Sequence, residues 1–352
     1  LCFRYEWNTS DAFGFVKKST LINQAKEKRS ITILDGIQNI VPYGVGSELQ
    51  RNVSNLTDAY KRSELQRDCG IGIFALSAII VDKEEPSEAL KANIAWSLGF
   101  DKPKHLLSST QLKNFRNNEN IHEETDVKGE KGAYFIYDKI ELSPNAEKDW
   151  MIIANVNQNH SAICSLFETI KNTKDLIQII GKDIDSGTQN LVELNASADA
   201  LQFTADDLQD TRHFSNVLFN IMRGGIFDFN YQIEKWDFKN YLQKANHKVY
   251  EETLLLLQQL PEKFSVFELR SVVEKSENIN FERLATEYLP LKFSRRHGDP
   301  SRPWNQFSIN TKSELDGSKI LDYQGNWRDI FQNWEALAHS YPEFSEGMIF
   351  KF

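Results

Sequence analysis

Apolar and polar residues alternate through much of the first 155 positions, which is the pattern of strands that bury one face. Glycine, proline and asparagine turn signals separate these runs, and the run at 71–81 is almost continuously apolar. The predicted strands cover 1–7, 13–23, 30–41, 71–81, 89–98, 133–142 and 150–156. Between the strands, the more polar stretch at 46–66 predicts a short helix or a long excursion of the chain. The polar stretch at 105–131 predicts a mobile loop. Because few helices interrupt the strands, the pattern favours an antiparallel β-sandwich over residues 1–156.

The spacing of apolar residues becomes helical near residue 157 and stays so to the end of the chain. One apolar face runs through 214–222 and stops at the Gly224-Gly225 pair, a typical helix end. Further helices are predicted at 238–260, 282–288 and 322–339. We therefore expect a helical linker over 157–205 and an all-helical domain of helix hairpins over 206–352.

Composition narrows the class of protein and of partner. The 352 residues are 40% hydrophobic and 26% charged, as in soluble globular proteins. A net charge of -9 argues against a nucleic-acid backbone as partner, and the lack of a long apolar window argues against a membrane. The cysteines, Cys2, Cys69 and Cys164, have no metal-binding spacing. From this spacing we expect reduced thiols and no bound metal. Reduced thiols in turn favour a cytoplasmic protein.

Neither end of the chain resembles a natural terminus. The sequence starts at Leu1 inside a strand-like run and stops at Phe352 inside an apolar run. We expect a piece of a longer polypeptide, in which apolar residues near the end, such as Phe344, Ile349 and Phe350, lack their native partners.

The densest set of residues suited to binding a ligand lies between 293 and 335. Carboxylates and guanidinium groups bind hydroxyls in pairs, and indole faces cover the apolar face of a sugar ring. The candidates for a polyhydroxylated ligand are Arg296, His297, Asp299, Arg302, Trp304, Trp327, Arg328, Asp329 and Gln332. The alternative is a surface loop with ion pairs that leads into an ordinary helix. In that case Asp299 caps a helix or pairs with Arg302, and the basic residues form a solvated turn.

Three stretches resemble glycoside phosphorylases of the cellobiose and chitobiose phosphorylase type, in the six-hairpin glycosidase clan. They are Arg-Tyr-Glu-Trp-Asn at 4–8, Leu-Asp-Gly-Ile-Gln-Asn-Ile-Val-Pro-Tyr-Gly-Val at 34–45, and Asn-Trp-Arg-Asp-Ile-Phe-Gln-Asn-Trp-Glu-Ala-Leu at 326–337. The resemblance implies a β-sandwich, linker helices and an (α/α)6 barrel, incomplete in this chain. The resemblance implies that Arg328 and Asp329 bind the sugar beside the scissile bond and that Gln332 supports them. The pattern departs at Asn333, where the family usually has Asp. The alternative is therefore that the chain belongs to a sister family of the same clan.

The resemblance also implies a reaction. Such enzymes cleave or phosphorolyse glycosidic bonds of an oligo- or polysaccharide by an inverting, acid-assisted mechanism, with inorganic phosphate as a possible co-substrate and no other cofactor. Their general acid comes from a later barrel segment, which we expect beyond residue 352. A homodimer is a possible assembly. The alternative function is a non-catalytic glycan-binding or interaction protein that uses the same aromatic and arginine-rich surface.

Overall fold

The computed structural model describes residues 1–80, 84, 87–297, 308–313, 316–324 and 327–351. The chain divides into two compact units, Leu1–Gln189 and Asn190–Phe352. The division falls within the segment predicted as a linker.

The first unit is built from strands that pair antiparallel throughout its described residues. The strands are β1 Cys2–Ser10, β2 Gly14–Ile22, β3 Arg29–Ile40, β4 Lys61–Gln66, β5 Ile71–Leu76, β6 Lys91–Leu98, β7 Lys104–Leu106, β8 Asp126–Lys128, β9 Gly132–Leu142 and β10 Glu147–Asn159. One sheet has the order β1-β2-β10-β6-β5-β4-β8, and a second has the order β3-β9-β7. The helices are α1 Ser47–Asn52, α2 Ser54–Ala59, α3 Leu112–Arg116, α4 His160–Asn172 and α5 Leu176–Ala196, whose last turns belong to the second unit.

Both sheets contribute to one apolar core. Phe74 and Trp150 from the seven-stranded sheet pack in the same buried cluster as Tyr134 and Ile136 from the three-stranded sheet. Trp150 Nε1 donates to Asp35 at 2.7 Å, and Lys17 forms an ion pair with the same carboxylate. The predicted antiparallel strands are confirmed, while the sandwich arrangement stays a prediction.

The segment predicted as a mobile loop contains the short elements α3 and β8. Side chains hold its backbone: Glu124 Oε2 accepts hydrogen bonds from Leu107 N and Ser108 N at 2.8 Å each, and Gln111 Oε1 accepts from His122 N at 2.9 Å. The polar composition of this segment did not reveal these contacts, because polar side chains are also typical of surface loops.

The second unit is mainly helical but also contains short strands. Its helices are α6 Asp207–Gly224, α7 Lys235–Ala245, α8 His247–Gln259, α9 Val266–Glu274, α10 Ile279–Glu287, α11 Ile330–Ser340 and α12 Ser345–Lys351. Its strands are β11 Gly225–Phe227, β12 Gln232–Glu234, β13 Lys263–Ser265, β14 Leu291–His297 and β15 Ser308–Ile309, and 3-10 turns cover Trp327–Asp329 and Pro342–Phe344. The strands pair antiparallel as β11-β14-β15 and β12-β13. The prediction of an all-helical domain is therefore wrong, because most of these strands are too short to show a period of two. Helix pairs with short connections are present, and the (α/α)6 barrel stays a prediction.

Two predicted helices have different bounds in the structure. The helix predicted at 238–260 is broken at Asn246, which has extended backbone angles and accepts a hydrogen bond from Val249 N at 3.2 Å as the cap of α8. The helix predicted at 322–339 begins only at Ile330. Trp327, Arg328 and Asp329 lie in the 3-10 turn that precedes it.

The aromatic residue Phe344 was expected to lack partners, and this expectation is wrong. Its ring stacks on Phe227 at a centroid distance of 3.9 Å and on Tyr231 at 5.6 Å. It joins a buried core with Phe238, Phe264 and other residues of the second unit. Ile349 and Phe350, in contrast, are exposed. Across the described residues, every helix is too short or too polar to cross a membrane.

Candidate functional site

Helix α6 places a buried arginine at its last turn. The helix starts where Asp206 accepts hydrogen bonds from Leu208 N and Gln209 N, and it ends at Gly225, which has a φ of +82°. Val217 and Ile221 bury its apolar face. Arg223 follows two positions after Ile221 and is itself buried.

Close contact between α6 and α11 depends on Gly224. A Cβ atom at this position would lie 2.8 Å from Asn333 Cβ and 3.0 Å from the Asn333 carbonyl oxygen. At the same contact, Trp334 Nε1 donates to the Gly224 carbonyl at 2.8 Å. The sequence therefore brings the end of α6 against the first turns of α11, which directly follow Asp329.

Asp329 is held by two guanidinium groups. Its Oδ2 accepts from Arg223 Nη2 at 3.0 Å, and its Oδ1 accepts from Arg328 Nε at 3.1 Å. Arg223 also lies over the ring of Phe219, 5.2 Å from the centroid. Because hydrogen bonds between ionised partners are short and strong, the carboxylate is fixed in one orientation. Arg223 is buried beneath it, while Arg328 reaches toward solvent.

Three aromatic rings on either side of Asp329 in the sequence pack against one another. Tyr323 lies 5.2 Å from Trp327 and 5.1 Å from Trp334, both edge to face, and the two indoles are 6.3 Å apart. Trp334 is buried in the core, whereas Trp327 is 40% exposed. The aromatic group thus presents one partly exposed indole next to the Arg328–Asp329 pair.

Two asparagine amides are buried at the same helix contact. Asn333 is 1% exposed, and neither its Oδ1 nor its Nδ2 has a hydrogen-bond partner among the described residues. The Oδ1 of Asn220, on α6, is in the same situation. Buried amides without protein partners are typical positions of internal water or of a polar ligand group.

The predicted site residues fall into three groups. Trp327, Arg328 and Asp329 are brought together, and Gln332 is exposed one turn along α11. Arg296 and His297 have their backbone at the end of β14, which contacts α6, but their side chains lie outside the described part. Asp299, Arg302 and Trp304 lie outside the described residues altogether.

Sequence reasoning missed Arg223 and Tyr323. Arg223 is 106 positions from Asp329, so no local motif connects them. The one available signal was the Gly224-Gly225 pair, which allows another helix to approach closely.

A second charged cluster lies in the same unit. Lys319 Nζ contacts Asp228 at 2.7 Å and Glu234 at 3.0 Å. Nearby, the Tyr288 hydroxyl donates to Asp237 at 2.6 Å. Burial raises the pKa of Asp237 to about 6, and the neighbouring carboxylates add to this, while the hydrogen bond from Tyr288 opposes it. Across the described residues, no three His, Cys, Asp or Glu side chains are arranged to hold a metal ion.

One family model matches this chain. Residues 227–290 match glycoside hydrolase family 149 insertion domain 1, and this stretch contains Asp228, Glu234, Asp237 and Tyr288 of the second cluster. No match was found among curated proteins. The matched stretch ends before Trp327, Arg328 and Asp329, so it leaves their role open. It supports a glycoside hydrolase or phosphorylase family and a carbohydrate substrate, whereas the cellobiose phosphorylase type stays a prediction.

Proposed function

We propose that this chain is part of a carbohydrate-active enzyme that cleaves or phosphorolyses glycosidic bonds, and that Asp329 and Arg328 bind one sugar of its substrate. The observation that supports this best is the hydrogen-bonded group formed by Arg223, Asp329 and Arg328 beside a partly exposed Trp327.

A fixed carboxylate and a guanidinium group suit a pair of sugar hydroxyls. One sugar hydroxyl donates to Asp329, and Arg328 donates to the oxygen of the neighbouring hydroxyl. The two side chains therefore recognise a pair of adjacent hydroxyls of defined geometry. Arg223 takes no part in solvent-exposed recognition, since it is buried. Its role is to hold the Asp329 carboxylate in place before the sugar arrives, which lowers the ordering cost of binding.

Trp327 supplies the apolar part of the contact. The edge-to-face packing against Tyr323 and Trp334 fixes the indole plane, and its exposed face can cover the C–H face of a pyranose ring. We propose Arg296 and His297 as ligands for further hydroxyls or for inorganic phosphate, and Asp299, Arg302 and Trp304 as further substrate contacts.

The reaction we propose is inverting and acid-assisted. A carboxylic acid protonates the leaving oxygen, and either water or inorganic phosphate attacks from the opposite face of the ring. Asp329 is assigned to binding because both of its carboxylate oxygens accept hydrogen bonds from guanidinium groups, which fix their orientation. We assign no general acid among the described residues.

The test is turnover of a panel of β-linked disaccharides and oligosaccharides by the full protein, with and without inorganic phosphate. Product formation that requires phosphate identifies a phosphorylase, and phosphate-independent formation of reducing ends identifies a hydrolase. Glycan binding by calorimetry without turnover would instead favour the non-catalytic alternative. A protein that neither binds nor turns over any glycan of the panel would contradict the proposal.

The residue assignment is tested with Asp329→Asn and Arg328→Ala. Loss of a charge-assisted hydrogen bond to substrate should lower kcat/KM or affinity by about ten- to a hundredfold. Arg283→Ala is the matched control, because Arg283 is 55% exposed and pairs with Glu287 on its own helix, much as the 58% exposed Arg328 pairs with Asp329. A purely structural ion pair predicts a lower Tm with unchanged activity per folded molecule.

A further inference from the structure

Asp228 directly follows β11 and is almost buried, with 10% of its side chain exposed. Each of its carboxylate oxygens faces a different lysine. Oδ1 lies 3.3 Å from Lys292 Nζ, and Oδ2 lies 2.7 Å from Lys319 Nζ. Lys292 belongs to β14, whereas Lys319 belongs to residues 316–324, which we call the Lys319 segment. One carboxylate therefore connects two parts of the chain that are distant in sequence.

Strand β14 changes its partner close to Lys292. Its first residues pair with β11, and its later residues pair with β15. Where the partner changes, Phe293 has a φ of +61°, a conformation that a bulky residue keeps only when neighbouring contacts hold it. Lys292 supplies such contacts, since its Nζ also donates to the Asp228 carbonyl oxygen at 3.1 Å. The same strand continues to Arg296 and His297.

The Lys319 segment leads to the aromatic rings of the candidate site. Lys319 Nζ contacts Glu234 at 3.0 Å as well as Asp228, so two carboxylates hold its ammonium group. Four positions later, the Tyr323 ring packs edge to face against Trp327 at 5.2 Å. Fixing Lys319 therefore restricts the positions that the Tyr323 ring can take.

The burial of Asp228 distinguishes its contacts from ordinary surface ion pairs. Exposed pairs contribute little to stability, whereas a nearly buried carboxylate is costly to leave without its cations. Removing the charge of Asp228 weakens the contact with Lys292 and leaves Lys319 paired with Glu234. The buried side chain of Leu321 still attaches the Lys319 segment to the protein. We therefore expect two looser segments rather than an unfolded chain.

We propose that Asp228 is a positioning residue for the candidate sugar site and holds β14 and the Lys319 segment in fixed places relative to each other. β14 carries two of the proposed ligands, and the Lys319 segment carries the Tyr323 ring against which Trp327 packs. This inference rests on the proposed function of that site. It also gives the stretch that matches the insertion domain, 227–290, a role in positioning the site.

Hydrogen exchange of the full chain without glycan tests the connection between the two segments. Asp228→Asn should speed exchange by at least about fivefold both in β14 beyond Lys292 and in the Lys319 segment, because one carboxylate holds both. Lys319→Met should speed exchange in its own segment, and Lys292→Met in β14. The matched control is Asp58→Asn, since Asp58 is 20% exposed and pairs with the 4% exposed Lys61 in the first unit. It should leave both segments unchanged.

Glycan affinity tests the positioning itself. Calorimetry with cellobiose and the other β-linked disaccharides of the panel should give a Kd about tenfold higher for Asp228→Asn, because a loosened site must be ordered on binding. Lys319→Met removes one of the two contacts, so it should raise the Kd by a smaller factor, and it serves as the test if Asp228→Asn does not fold. In the Asp228→Asn background its effect should be smaller than alone, because both substitutions break the same contact. Asp58→Asn should leave the Kd unchanged even where it lowers the Tm.

The outcomes separate this inference from the proposed function. If the unchanged chain binds a glycan and Asp228→Asn binds it equally well per folded molecule, the proposed function stands and the positioning role is overturned. Faster exchange in only one segment, or in neither, shows that Asp228 does not connect them and overturns the inference whatever the chain binds. If the unchanged chain binds no glycan of the panel, the proposed function fails and the role at a sugar site fails with it.

Discussion

At the scale of single residues, the contact between α6 and α11 depends on Gly224 having no side chain. Its Cβ position is occupied by Asn333 atoms at 2.8 and 3.0 Å, and its carbonyl accepts the Trp334 indole N–H. The Arg223–Asp329 hydrogen bond lies immediately beside this contact. Any residue larger than glycine must therefore move α11 and disturb the candidate sugar site.

We expect Gly224→Ala to lower the free energy of unfolding by about 1–3 kcal/mol, because the methyl group overpacks a contact that includes backbone. The measurement is chemical denaturation of the whole chain, together with glycan affinity. Gly187→Ala on α5 is the control, since a Cβ there meets nothing within 4 Å. That change should stabilise the protein by up to about 1 kcal/mol, through helix propensity alone. Equal effects of the two substitutions would contradict the close-contact argument.

The buried Asn333 explains one departure from the expected motif. A carboxylate at a position that is 1% exposed would lose its hydration, and it would lie four positions after Asp329, which already carries a negative charge. An amide of the same shape avoids that cost and can still bind internal water or a ligand hydroxyl.

Sequence reasoning named Trp327, Arg328 and Asp329 as candidates because they are adjacent in one motif. It could not find Arg223, because the pairing with Asp329 exists only once α6 and α11 have packed.

At the scale of elements, α7 and α10 are joined by a carboxyl group and a phenol. Asp237 on the first turn of α7 accepts a hydrogen bond from Tyr288, the residue that follows α10. Glu234, Asp322 and Asp228 face the same carboxyl and raise its pKa further, and the Lys319 ammonium lies between Asp228 and Glu234. Burial of Asp237 thus favours its protonated form in the folded state.

This cluster predicts a stability that falls as pH rises. The folded pKa of Asp237 is about 6 against an ordinary value of 3.8, so the folded state binds more protons than the unfolded state between these values. Its contribution is therefore favourable below pH 4 and is lost progressively up to about pH 6. Asp237→Asn should raise the free energy of unfolding at pH 7.5 by at most about 3 kcal/mol and change it little at pH 4.

The control for this prediction is Asp185→Asn, which removes the same charge from an exposed position on α5. Its effect should be small at both pH values. A pH-independent effect of Asp237→Asn would mean that the hydrogen bond from Tyr288 outweighs the burial of the carboxyl.

Helix and strand boundaries show where local patterns are insufficient. The predicted strands correspond to β1, β2, β3, β5, β6, β9 and β10, because each lies in an alternating or continuously apolar run of strand length that is bounded by turn signals. The helix break at Asn246 was missed because an asparagine inside a long polar and apolar repeat does not differ from an ordinary exposed residue until its side chain caps α8. The pairing of β14 with β11 and then β15 depends on contacts distant in sequence, and Phe293, with a φ of +61°, lies where the strand changes partner.

At the scale of the whole molecule, the order of strands was beyond reach from sequence. β10 lies between β2 and β6, although it follows both by many residues. Alternation predicts that a strand has one buried face, but it does not say which strand is its neighbour. The change from strands to helices near residue 157 was visible, because a change of period from two to 3.6 is a local property of the sequence.

The buried clusters predict how the molecule unfolds. Among the described residues, the core that contains Phe74 is made only of residues from the first unit, and the core that contains Phe281 only of residues from the second. A cavity in either core should therefore destabilise its own unit, by about 3–5 kcal/mol for a buried Phe→Ala change. We expect Phe74→Ala to lower the midpoint temperature of one calorimetric transition and Phe281→Ala that of the other. Hydrogen exchange then assigns each transition to its unit. Phe203→Ala should change neither, since Phe203 is almost fully exposed. If both core variants lower one shared transition by the same amount, the two units unfold as a single cooperative structure.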